Sequence, residues 1–199
     1  HFLALLEKQG EPRNRKKATG KNSVIPTEAK EFLKNWGMYK REWQYYLRDE
    51  LETLDDSYDY CLMDCPPDLD MGSINALTAA DWVIIPVDCD EWACDGMREI
   101  MDQIEQVQMY YNPHLKVMGA LMTKYRRTRY AGEVVHQLNE AGIEMLHTVI
   151  RYTVKVSEAK SAHEPLRVYK PDCSAALDYG CLADEVDEAV SKMDTHKEG

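Results

Sequence analysis

At 199 residues, with 44% hydrophobic side chains and a net charge of −11, the chain is long enough to bury one sizeable core and too acidic as a whole to be a general polyanion binder. Its six cysteines contain no CxxC pair and its six histidines sit at no ligand spacing to them, which points away from a zinc site or a disulfide framework and toward reduced thiols. The charge is unevenly spread: residues 124–170 carry nine basic and five acidic side chains (+4) and residues 1–22 six and two (+4), whereas 23–123 carry seven and twenty (−13).

In chain order, Phe2 to Glu7 reads as the end of a helix, too short to cross a bilayer or to serve as a secretory signal. The chain begins with His1 and is read as a piece of a longer one. A polar, basic linker follows to residue 22. Ser23 to Pro26 predicts a short strand, and Thr27 an N-cap with Glu28 in the first turn. From Tyr39, apolar residues at Trp43, Tyr46, Leu47, Leu51 and Leu54 recur at helical spacing and predict one buried face.

Cys61-Leu62-Met63 then forms a short apolar run ended by Asp64 and followed by Cys65-Pro66-Pro67. This predicts a strand buried on both faces at the centre of a parallel sheet, with an acid at its carboxyl end, where such folds place ligands. After an irregular loop, Ser73 is the predicted cap of a helix carrying Ile74, Leu77 and Ala80. Trp82 to Val87 is the next buried strand. The acids Asp88 to Glu91 read as a solvated entry to a long helix bearing Met97, Ile104 and Val107. Lys116 to Met122 is a further strand, followed by a helix through Val134 and Leu138 to a stop at Ala141-Gly142. Met145 to Ile150 is predicted as a strand, Glu158-Ala159 lie on a short helix, and Leu177 to Val190 on the last one. Alternating strands and helices of this kind predict an α/β fold, a mostly parallel sheet with helices on both faces.

The stretch Tyr58 to Val87, YDYCLMDCPPDLDMGSINALTAADWVIIPV, resembles the Walker B and switch region of the ParA/Soj/MinD group of P-loop partition ATPases, nearest to ParA and Soj. The likeness runs from Val24-Ile25-Pro26 to the last helix, through Asn75-Ala76-Leu77, Ala79-Ala80-Asp81 and Ser157-Glu158-Ala159. No KGGxGKT-like phosphate loop occurs in these 199 residues. Residues 23–199 are thus expected to form a ParA-like domain lacking the phosphate-loop strand, incomplete at its N-terminus. That strand belongs between Cys61–Asp64 and Trp82–Val87. Its absence predicts an unstable gap unless the two strands close up or a segment such as Phe2 to Leu6 fills the place.

The resemblance implies ATP and magnesium in the complete family protein, with Asp64 at the magnesium shell and the loop at Pro66 and Pro67 reporting the bound nucleotide. It places Thr123 and Arg151 where the family encloses the base. Non-specific DNA binding is implied for Lys124, Arg126, Arg127, Arg129 and Lys155, with Lys160, Arg167 and Lys170 nearby. An ATP-dependent homodimer, a ParB-like centromere-binding partner and a cytoplasmic, nucleoid-associated location also follow. Membrane attachment does not, because Ser191 to Gly199 is polar. The alternative is a non-enzymatic interaction protein that binds a partner or a full-length relative without hydrolysing ATP.

Overall fold

The computed structural model describes residues 2–7, 43–52, 58–66, 70–88 and 93–194. The predictions at Ser23–Pro26, Thr27, Tyr39 and Leu54 lie outside these, as does Pro67. Two compact units divide the chain: His1–Val83 with Ile100–Val117, and Ile84–Glu99 with Met118–Gly199.

β1 (Phe2–Glu7), β2 (Tyr60–Cys65), β3 (Trp82–Asp88) and β4 (Lys116–Thr123) hydrogen-bond in the order β2-β1-β3-β4. β1, β2 and the first two residues each of β3 and β4 belong to the first unit, and the rest of β3 and β4 to the second. They run parallel, since Lys116 N–H donates to Asp81 O at 2.9 Å at their starts and the Thr123 hydroxyl oxygen lies 3.3 Å from Val87 O at their ends.

Phe2–Glu7 is therefore a strand and not a helix end. It pairs antiparallel with β2, from Phe2 opposite Cys65 to Glu7 opposite Tyr60, and lies between β2 and β3. Its Ala, Leu and Glu favour helix intrinsically, but burial overrides a preference worth tenths of a kcal/mol per residue. Ala4 is 0% and Leu5 1% exposed. The sheet is mixed, not wholly parallel, and the place expected to be a gap is filled.

β2 also departs from expectation. It lies at the edge of the described sheet and runs one residue past Asp64, alternating between exposed Leu62 and Asp64 and buried Met63 and Cys65. This is the period-2 pattern of a half-buried strand. Burial, followed by the charge of neighbouring Asp64, pushes the Cys65 thiol up to about 12, which leaves it protonated and inert.

A 3-10 turn at Trp43–Tyr45 leads into α1 (Tyr46–Glu52), where Leu51 is buried. Helix α2 (Met71–Ala79) is capped by Asp70, not Ser73: the Asp70 carboxylate accepts from Ser73 N–H at 2.9 Å. Two side-chain amides, buried Asn75 and half-buried Asn112, tie the first unit together. Asn75 donates to Met71 O at 2.9 Å and accepts from Leu47 N–H at 3.1 Å, joining α1 to α2. Asn112, just beyond α3 (Ala93–Tyr110), donates to Leu77 O at 3.0 Å and Ala80 O at 2.7 Å, satisfying carbonyls at the end of α2.

The second unit contains α4 (Arg129–Glu140), α5 (Lys155–Ser161), α6 (Leu166–Tyr169) and α7 (Ser174–Asp194). Its core includes Ile84, Ile85, Val87, Ala120, Met122, Val134, Leu138, Ile150 and Val190. The predicted strand Met145–Ile150 is replaced by a single parallel bridge, Ala120 to Met145. Leu146 N–H donates to Ala120 O at 3.0 Å, yet the next donor to β4 is Ile150 N–H, to Met122 O at 2.8 Å. Four residues on one side face two on the other, so the segment bulges and the ladder breaks. The bulge rests on Gly119, whose φ of +149° suits glycine; a Cβ there would meet Glu144 O at 3.0 Å.

Candidate functional site

In the first unit the expected ligand residues are few. Asp64 projects from the exposed face of β2, and Pro66 follows as an exposed residue. Asp70 is occupied in capping α2. Among the described residues no group of three or more His, Cys, Asp or Glu could hold a metal ion. A magnesium-nucleotide site also needs backbone N–H groups and a lysine to cradle phosphates. Among the described residues Asp64 stands without that cradle, and an exposed carboxylate alone does not fit the group.

The second unit gathers most of the other predicted residues around the end of β4. Thr123 is its last residue, with its hydroxyl donating to Asp88 Oδ1 at 2.5 Å. Lys124 leaves the strand with φ 50° and pairs through Nζ with Asp88 Oδ2. Asp88 is thus not part of a solvated helix entry but the last residue of β3, engaged with β4. Burial pushes its carboxyl up, but the hydrogen bonds from Lys124 and Thr123 outweigh this and hold it below the usual carboxylate range.

Tyr125 is gripped by the segment leaving the bulge. Its N–H donates to Ile150 O at 2.9 Å and its carbonyl accepts from Tyr152 N–H at 3.0 Å, around a parallel bridge to Arg151. Arg126 stacks on the Tyr152 ring, its guanidinium carbon 3.8 Å from the centroid. Thr128 caps α4 by accepting from Ala131 N–H at 3.2 Å, which places Arg129 in the first turn. Arg127 and Arg129 are exposed and make no ion pair with a described residue.

Arg151 is differently placed. Its Nε donates to both Asp178 oxygens at 2.9 and 3.1 Å, its Nη2 to Oδ1 at 2.6 Å, and its backbone N–H to Oδ2 at 2.9 Å. Asp178 is 9% exposed, and the Arg151 hydrogen bond holds its carboxyl below the usual range. Lys155 pairs with Glu158 at 2.7 Å, which also accepts from the Tyr169 hydroxyl at 3.1 Å. Lys170 pairs with Asp172 at 2.8 Å, while Lys160 and Arg167 are exposed.

The structure thus brings Thr123, Lys124, Arg126 and Arg151 to one strand-end loop cluster and leaves Lys155 on α5. Sequence reasoning missed Asp88 as the partner of Thr123 and Lys124, Tyr152 as the support of Arg126, and Asp178 as the partner of Arg151. Only Asp178 left a trace in the sequence, as an acid three residues after Ala175 on the core-facing side of the last helix. Among the described residues no helix is long and apolar enough to cross a membrane.

A family model described as an AAA domain matches residues 12–117. The chromosome partitioning protein ParA of Caulobacter vibrioides is 38% identical over 146 residues, covering 71% of this chain and 55% of that protein. The sporulation initiation inhibitor protein Soj of Bacillus subtilis is 37% identical over 142 residues, covering 70% of this chain and 56% of its own length. The chain therefore spans about half the length of these curated relatives. Among solved structures, the cobyrinic acid a,c-diamide synthase of Mycobacterium smegmatis, solved with an ATP analogue and magnesium, has a TM-score of 0.56 at 30% identity, covering 75% of this chain and 62% of that one.

Proposed function

We propose, for a chain that belongs to the AAA-domain family of ParA/Soj/MinD-type P-loop ATPases, that it is part of a ParA-type ATPase that partitions plasmid or chromosomal DNA. The reading gives it ATP-dependent dimerisation, non-specific DNA binding on the nucleoid, and release by a ParB-like centromere-binding partner. The observation that supports it best in the molecule itself is the loop after β4. Arg126, Arg127 and Arg129 stand together there with no carboxylate neutralising them among the described residues, as phosphate contacts require. Lys124 and Lys155, each held by an acid, are weaker contributors. Thr123 and Asp64 keep their proposed roles toward base and magnesium only in a protein that also carries a phosphate cradle.

A second reading, an interaction protein that binds a partner without turning over ATP, is favoured by one feature. β1 lies between β2 and β3, where the resemblance places the phosphate-loop strand. The purified chain is expected to hydrolyse no ATP above background, because nothing stabilises the charge developing on the transferred phosphoryl group. Turnover that disappears in Asp64→Ala would overturn this expectation. An in-frame KGGxGKT-like stretch encoded ahead of His1 decides for the partition ATPase, and its absence for the interaction protein.

A further inference from the structure

We propose that helix α7 is a clasp that positions the arginine loop, with Asp178 and Glu185 as its two teeth. This rests on the reading of Arg126, Arg127 and Arg129 as phosphate contacts. The two acids are seven residues apart, two helical turns, and so share a face of α7. Glu185 accepts the N–H groups of His147 at 2.7 Å and Thr148 at 2.9 Å, two of the three residues between the ladder donors Leu146 and Ile150. Asp178 accepts the Arg151 N–H and guanidinium. Between these anchors Ile150 pairs with Met122, so the segment 147–151 is fixed on one side by β4 and on the other by α7.

The consequence reaches the loop through the backbone. Tyr125 is held between Ile150 O and Tyr152 N–H, and Tyr152, a residue 46% exposed, presents its ring to Arg126. Among the described residues neither acid hydrogen-bonds or ion-pairs with Arg126, Arg127 or Arg129. Their effect passes through Arg151 and Tyr152. Asp178 also occupies the Arg151 guanidinium, so the clasp subtracts one cation from the surface while ordering three others. Positioning and masking therefore predict opposite effects on DNA affinity when Asp178 is neutralised.

The test uses the whole chain with Asp178→Asn, Asp178→Glu and Glu185→Gln, and Tyr152→Leu as the reference for a lost ring. Without DNA, the NMR signals of the Arg126 side chain report the ring current of Tyr152, and hydrogen exchange reports the Tyr125 and Tyr152 amides. In Asp178→Asn the Arg126 signals should move toward their Tyr152→Leu positions and the Tyr152 amide should exchange about tenfold faster. Affinity for a random duplex should fall about fivefold with its salt slope unchanged, since no cation has been removed. The conservative Asp178→Glu change should restore part of each effect. Glu185→Gln should act in the same direction more weakly, and it carries the test if the Asp178→Asn chain does not fold. Unmoved Arg126 signals with unchanged exchange would overturn the clasp, and so would tighter duplex binding, which means that Asp178 masks Arg151. Moved signals in a chain that binds no duplex uphold the clasp and reject the DNA reading.

Discussion

A Leu5→Asp chain is expected to lose the cooperative melting of its first unit. Leu5 is 1% exposed at the middle of β1, opposite Leu62 in the register with β2. Removing a buried leucine costs about 2–5 kcal/mol, and burying an unpaired carboxylate adds several more. Together these rival the roughly 5–15 kcal/mol that holds a domain of ordinary stability. Leu5→Ala should lose only the first part. If β1 were dispensable, both variants would melt within a few degrees of the parent, and hydrogen exchange across β2 and β3 would be unchanged. That outcome would remove β1 from the core.

Asp178→Ala should cost about 1–3 kcal/mol, because it strands the Arg151 N–H beside a buried position. For a chain of this length the melting temperature should drop by roughly 5 °C. The same pair gives a pH signature. Asp178 and Glu185 both have carboxyls held below their ordinary values: Asp178 by the Arg151 hydrogen bond, while at Glu185 burial pushes the carboxyl up and is outweighed by the Thr148 side chain and by the N–H groups of His147 and Thr148. Groups with depressed folded-state pKa stabilise fully above their unfolded values, about 3.9 and 4.3, and lose that contribution as pH falls through the folded ones. Melting between about pH 6 and 3 should therefore show a steeper acid decline in the parent than in Asp178→Asn with Glu185→Gln. Parallel curves would mean that neither carboxylate is coupled to folding.

The sequence announced what depends on neighbours in the chain. The strands at Trp82 and Lys116, the helices at Met97–Val107 and Val134–Leu138, and the stop at Gly142 follow from periodicity and turn chemistry, and they stand where expected. What failed depends on distant partners. Phe2 to Glu7 has helix-forming residues and becomes a strand only because β2 accepts it across a separation of more than fifty residues. Met145 to Ile150 has strand-forming residues and loses its ladder where the Glu185 carboxylate, 37 to 38 positions away, claims the N–H groups of His147 and Thr148. At the site the cationic residues were visible as composition, but which of them are neutralised was not. Lys124 and Arg126 look alike in sequence; one faces Asp88 and the other an aromatic ring.

The most direct test of the account is a salt titration of duplex binding by the parent chain and by Arg126→Glu with Arg127→Glu. If these arginines contact phosphates, affinity for duplexes of any sequence falls about equally, and the slope of log K against log salt becomes shallower by roughly one to two units. Binding with the parent's slope intact in the double variant would place the DNA contact elsewhere and contradict the assignment of this loop.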